Sequence, residues 1–223
     1  MGLVIASVII LMWAGHLIYS FLSVPAVPAS PMMYIHMLIQ TYLYTGLFIT
    51  AHDAMHGTVS RRKRVNRLVG TVSLLLFAGM NYNKIIKNHH LHHKYPGSGN
   101  DPDFNTFSQN FGIWWFRFMM EYITLIQLAI MAIAFNILNI WISQPALFAF
   151  WIIPAFLSTL QLFYFGTYLP HRYPHNEDMK PHNSRSQKKN HLWAMVSCYF
   201  FGYHNEHHES PGTPWWQLYK IKE

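Results

Sequence analysis

LVIASVIILMWAGHLIYSFL, Leu3 to Leu22, is a run of 20 residues without a charge. About 20 mostly apolar helical residues cross the hydrocarbon core of a bilayer, so this stretch reads as a membrane span. It lacks a charged leading region and is too long for the apolar core of a signal peptide. Outward from it the bias continues, because the first charged residue of the chain is Asp53. Pro-rich SVPAVPASP (Ser23–Pro31) breaks the helix, and Met32 to His52 forms a second span. Tyr122 to Ile142 reads as a third. After the turn Ser143-Gln144-Pro145, Ala146 to Leu169 reads as a fourth, with Pro154 placed to kink it. Leu68 to Met80 is apolar but too short to cross, and is taken as re-entrant or interfacial. NFGIWWFRFMM (Asn110–Met120) has the pattern of an interfacial amphipathic helix with a Trp belt.

Composition supports the same class. Apolar residues make up 52% of the 223 and charged residues 11%, whereas a soluble domain carries about 25% charged residues. Too few charges remain to cover a water-facing surface. There is no internal repeat, low-complexity tract or linker, so residues 1–223 read as one domain. The formal charge is +7, but the cations flank apolar spans. Membrane lipid and an acidic soluble protein are therefore the expected partners, and nucleic acid is not. All 16 Lys and Arg lie in Arg61–Lys94, at Arg117, in Arg172–Lys189, or at Lys220 and Lys222. The turns Ser23–Pro31 and Ser143–Pro145 carry none, which the positive-inside rule places outside. The expected fold is an all-α integral membrane protein. Four transmembrane helices form two hairpins, with a histidine-rich cytoplasmic cap of interfacial helices. The single cysteine, Cys198, excludes an internal disulfide and a Cys-built zinc or Fe–S site; it reads as a small buried apolar residue.

The abnormal count is 15 histidines. His52 and His56 are spaced i, i+4. His89, His92 and His93 are spaced i, i+3, i+4, and His204, His207 and His208 repeat that spacing. On a helix such positions share one face. His52, His56 and His171 end spans on the cytoplasmic side, and the other clusters lie in cytoplasmic segments. Nine imidazoles are thus expected to converge: His52, His56, His89, His92, His93, His171, His204, His207 and His208. That is too many for one tetrahedral zinc and suits two metals with open positions. Imidazole suits Zn, Cu, Fe and Ni. Iron and copper activate O2, and the lack of Cys ligands disfavours copper-thiolate chemistry, leaving a di-iron centre. The carboxylate-bridged bundle type needs Glu-x-x-His pairs, and Glu121 is the lone Glu before Glu177. His36 lies roughly 24 Å along the helix from His52 and is excluded, as is His16. His90 points to the wrong face, and His175, His182 and His191 sit in a basic loop.

Ligating imidazoles usually donate their second N–H to a carboxylate or carbonyl. Asp53, between two ligands at the hydrocarbon boundary, is the expected catalytic support of this kind, paired with imidazole N–H groups. Asp101, Asp103, Glu206 and Glu209 are further candidates.

HDAMHG (His52–Gly57), HHLHHKYPGSGNDPDF (His89–Phe104), FYFGTYLPHR (Phe163–Arg172), HNEHHE (His204–Glu209) and PWWQL (Pro214–Leu218) resemble the bacterial and cyanobacterial β-carotene 4-ketolases. Those enzymes belong to the membrane fatty-acid desaturase and hydroxylase superfamily. The resemblance runs from about Thr41 to Leu218. It implies a non-haem di-iron oxygenase that uses O2 to convert the C4 methylene of a β-ionone ring to a ketone. β-Carotene would pass through echinenone to canthaxanthin, with zeaxanthin a further candidate substrate and a ferredoxin-like protein as electron donor. The implied location is a bacterial inner membrane, or a cyanobacterial thylakoid or plasma membrane, with the site on the cytoplasmic side. The superfamily's iron ligands map onto the same nine histidines, His171 least securely. Phe163, Tyr164, Phe165, Tyr168, Trp215 and Trp216 are candidates to line a polyene channel.

Two other readings compete. One is a carotenoid hydroxylase or a fatty-acyl desaturase or hydroxylase of the same superfamily. The other is a histidine-rich transporter or haem-binding membrane subunit. A transporter places polar groups near mid-membrane, and a haem subunit needs His pairs inside spans, where His16 and His36 alone qualify.

Overall fold

The computed structural model describes residues 1–222, and within them every regular element is helical. α1 (Gly2–Ser23) and α2 (Pro31–Met55) form the first hairpin. α2 is the centre of the molecule: its second half, Gln40 to Met55, is almost wholly buried. Thr41, Thr45 and Thr50 lie in that half, and each donates its hydroxyl to the carbonyl four residues back. Their polarity is thereby satisfied within the helix. Trp13 and Leu17 of α1 pack with Tyr44 and Leu47 of α2 and with Leu147 and Phe150 further along the chain.

Of the apolar segment Leu68–Met80, Leu68 to Ala78 belong to α3 (Lys63–Ala78), which lies along α2. Gly79 ends it at φ 66°. This left-handed cap suits glycine, and the bonds Gly79 N–H to Leu75 O and Met80 N–H to Leu74 O satisfy two carbonyls of the last turn. Asn81 then caps α4 (Tyr82–Lys94) by accepting from the Asn83 and Lys84 amides. Two adjacent caps therefore aim the second histidine cluster.

The third expected span is not one helix. α5 (Phe111–Tyr122) and α6 (Leu125–Leu138) meet at 87°, so Tyr122 belongs to α5. The break is explained locally: Thr124 caps α6 through the Gln127 amide, and Thr-x-x-Gln is a helix-start pattern that competes with continuation. At about 1.5 Å per residue, α6 is roughly 21 Å long, short of the ~30 Å core. α7 (Gln144–His171) is continuous but contains two π turns, Phe148–Ile152 and Tyr164–Tyr168. Pro154 and Pro170 each follow one by two residues. A proline lacks the N–H for the i−4 carbonyl, and the widened turn re-pairs the backbone: Ile153 N–H reaches Phe148 O, and Leu169 N–H reaches Tyr164 O. α8 (His191–Cys198) and α9 (His204–Glu209) follow. Cys198 is buried and free.

α1 and α7 are long and apolar enough to cross a membrane, with mean hydropathies of 2.0 and 1.8, and the bent pair α5–α6 is a third if taken as one span. α2 falls short of that apolarity, because His36, Gln40 and three threonines lie along it. His16 and His36 bond to each other at 3.0 Å, and His16 bonds Gln40, so that intramembrane polar chain closes on itself away from the other histidines.

Candidate metal centre

Two cap helices, α4 and α9, and the ends of two long helices, α2 and α7, bring all nine histidines together in two adjoining groups. His52, His56, His89, His93 and His207 form one; His92, His171, His204 and His208 form the other. Within each group the candidate ligand nitrogens lie within 4.8 Å of one another. Nε2 faces Nε2 at 2.6 Å between His89 and His56, and at 3.0 Å between His93 and His207. In the second group His208 Nε2 lies 3.1 Å from that of His92 and 3.0 Å from that of His204. Both Nε2 of His171 and Nε2 of His52 are buried without a hydrogen-bond partner.

Such an arrangement fits a pair of cations. Converging lone pairs repel unless a proton or a metal lies between them. Burial first, and then the charges of neighbouring imidazoles, hold His89, His204, His207 and His208 well below the usual imidazole range. They are therefore neutral, the form that binds metal. His90 is exposed and outside both groups, as its helix face predicted.

The outer contacts differ from expectation. His92 donates Nδ1–H to Asp101, at 3.0 and 3.1 Å from its two oxygens. Asp101 also accepts the Gly97 and Asp103 amides. Burial works against a charged His92, but Asp101 and Asp103 outweigh it and raise its pKa to about 9. The bond to Asp101 occupies Nδ1 and turns Nε2 toward His204 and His208, so a metal there would replace the proton on Nε2. His171 donates Nδ1–H to the Asn183 carbonyl at 2.9 Å, a partner in the linker that no spacing rule marks. His175 bonds the His171 carbonyl, His191 bonds the Tyr203 hydroxyl, and the His182 ring lies against that of His208.

Asp53 is buried, but its carboxylate accepts the Trp215 amide at 3.3 Å and stands 3.9 Å from His52 Nδ1. It ties the C-terminal segment to α2 rather than holding an imidazole N–H. Glu206 bonds Ser186 and Lys222 instead of lying in solvent, and Glu209 is exposed and accepts from Asn205. Asp101→Asn is therefore expected to cost about 10–100-fold in metal affinity. Asp53→Asn keeps an acceptor for Trp215 and should cost much less. Metal content and activity of the two variants, side by side, check this; equal losses would refute the assignment.

An apolar cavity opens from His52, His89, His92 and His204 into the layer of long helices. Phe48, Phe77, Phe118, Leu162 and Phe201 form its walls, and it extends to Ala78, Gln127 at the α5–α6 bend, and Thr159. At about 1.5 Å per residue, Thr159 is roughly 18 Å along α7 from His171. Six expected channel aromatics do not line it. Phe163 and Tyr168 pack on Phe111 and Trp114 of α5, and Trp215 packs on Tyr199. The π turn before His171 instead presents Gly166 and Thr167. A Cβ on Gly166 would come within 2.2 Å of the Phe201 ring, and that ring lies 5.0 Å from the centre of His52.

The family model described as fatty acid desaturase matches residues 29–136 and 121–223. A β-carotene ketolase of a Paracoccus strain is 38% identical over 80% of this chain and 74% of its own length. A zeaxanthin 4-ketolase of Chlamydomonas reinhardtii is 38% identical over 82% of this chain, which spans 42% of that protein. A β-carotene 4-ketolase of Protosiphon botryoides is 34% identical over 97% of this chain and 62% of its own length. No solved structure matches.

Proposed function

The chain belongs to the fatty acid desaturase family, on its carotenoid-ketolase branch, and from that membership we propose that it oxidises the C4 methylene of β-ionone rings to a ketone. β-Carotene is the proposed substrate, echinenone the monoketone and canthaxanthin the diketone. The observation that carries this reading is the cavity: a long apolar slot whose inner end is two groups of converging imidazoles.

The nine histidines are proposed to hold two iron ions. When bound, these would supply O2 activation and hydrogen abstraction at carbon. Each hydroxylation takes up O2, two electrons and two protons and releases one water. Two at C4 give a geminal diol, and loss of water gives the ketone. The allylic C4–H is weakened by the polyene, so the task of this chain is placement and dryness. Phe48, Phe77, Phe118 and Phe201 grip the ring and exclude water. Asp101 and the Asn183 carbonyl fix the tautomers and orientations of His92 and His171.

Electrons are proposed to come from a ferredoxin-like protein. From Ala54 to Asn100 the chain carries eight Lys and Arg and no acid, which suits both an acidic carrier and the cytoplasmic side of a membrane. On this reading the site faces the cytoplasm of a bacterial or cyanobacterial cell, and four segments span the lipid. Expression in a β-carotene-accumulating bacterium, followed by pigment chromatography, tests the function. Echinenone and canthaxanthin are expected. Unchanged β-carotene, or 3-hydroxylated rings alone, would refute the proposal; a reporter fused after Arg64 in the same cells should report inside.

A further inference from the structure

Thr167 lies in the second π turn, one helical turn before His171. Its side chain lines the cavity beside Gly166, Phe201 and His204, and it is 5% exposed. The other buried or helical threonines are internally satisfied: Thr41, Thr45, Thr50, Thr71 and Thr159 each donate to a carbonyl three or four residues back. Thr167 differs from them in facing the histidine end of the cavity. A hydroxyl on the wall of an otherwise apolar cavity is placed to hydrogen-bond a polar group of whatever occupies it, and π turns concentrate at functional sites. Near the imidazoles, the other polar side chains on the cavity wall that are not candidate ligands, Asp103 and Tyr122, are engaged with each other.

A ketolase differs from a hydroxylase in one requirement: the alcohol formed first must stay, with its remaining C4–H presented again. We propose that the Thr167 hydroxyl anchors the oxygen at C4 and retains the 4-hydroxy intermediate for its second oxidation. The inference rests on the ketolase reading above. In the first oxidation C4–H becomes C4–OH, with O2, two electrons from the donor protein and two protons taken up and one water released. The alcohol oxygen then hydrogen-bonds Thr167, which leaves the second C4–H facing the imidazoles. A second, identical oxidation gives the diol, which expels water. In an otherwise apolar slot, loss of the anchor lets the alcohol turn or escape to the lipid before that second step.

The test is the product partition of Thr167→Val, with Thr167→Ser as the conservative variant, in membranes supplied with β-carotene. The ratio of 4-hydroxy to 4-keto product is expected to rise about tenfold in Thr167→Val, the loss of one net hydrogen bond. Thr167→Ser should partition as the wild type does. An unchanged ratio in Thr167→Val, whatever the total turnover, overturns the proposal. If that variant does not fold, the wild type decides: its KM for 4-hydroxy-β-carotene is expected about tenfold below that for β-carotene, and equal values overturn the anchor. A wild type that makes no 4-oxygenated pigment would instead defeat the ketolase reading itself.

Discussion

His207→Ala and His204→Ala, one from each imidazole group, are each expected to drop ketone formation below detection and to lose bound metal. Loss of a contact that merely supports a ligand costs about 10–100-fold, and removal of a ligand costs more. The two groups share walls: His92 of one lies beside His93 of the other at 5.9 Å between ring centres. Emptying one group should therefore loosen the second as well. His90→Ala is the matched control. It lies on the same helix as three candidate ligands, but it is exposed and outside both groups, so metal content and turnover should stay near wild type. Metal analysis on purified protein, together with pigment chromatography, reads both quantities. Full metal and full activity in either His207→Ala or His204→Ala would remove that residue from the ligand set.

A second large effect separates the cavity from the metals. Ala78 lies on the cavity wall at the end of α3 and belongs to neither imidazole group. Ala78→Trp places an indole in the slot without touching an imidazole. Bound metal should be unchanged, while ketone formation falls about 100-fold or more, the order of loss when a reacting carbon is displaced by an ångström. Overpacking of this kind costs about 1–3 kcal/mol of stability, so a thermal melt must accompany the assay. Wild-type turnover in a folded, metal-loaded Ala78→Trp would show that the polyene reaches the imidazoles by another route.

Helix periodicity made the histidine clusters legible, because i, i+3 and i+4 neighbours share a face whatever surrounds them. The same rule set aside His90 and His36. The break in the third apolar segment was also written locally, in Thr124 and Gln127, but a hydropathy reading passes over a cap. The carboxylates were harder. Asp53 adjoins a candidate ligand in sequence and Asp101 does not, yet Asp101 holds His92 and Asp53 holds the Trp215 amide. Sequence proximity on a helix points neighbouring side chains about 100° apart, whereas the turn after α4 folds Asp101 back onto the imidazole.

By itself the sequence determined that this chain belongs in a membrane and is helical, and that its histidines form faces suited to metal. Charge content and helical periodicity are local properties and survive any packing. Tertiary structure alone decided that the nine imidazoles divide five and four, that the Asn183 carbonyl orients His171, and that Thr167, not the neighbouring aromatics, looks into the cavity. Those outcomes depend on the rotation of whole helices about their axes. Here that rotation is set by two π turns and two adjacent caps, each of which shifts a face without changing the pattern of apolar residues that announced it.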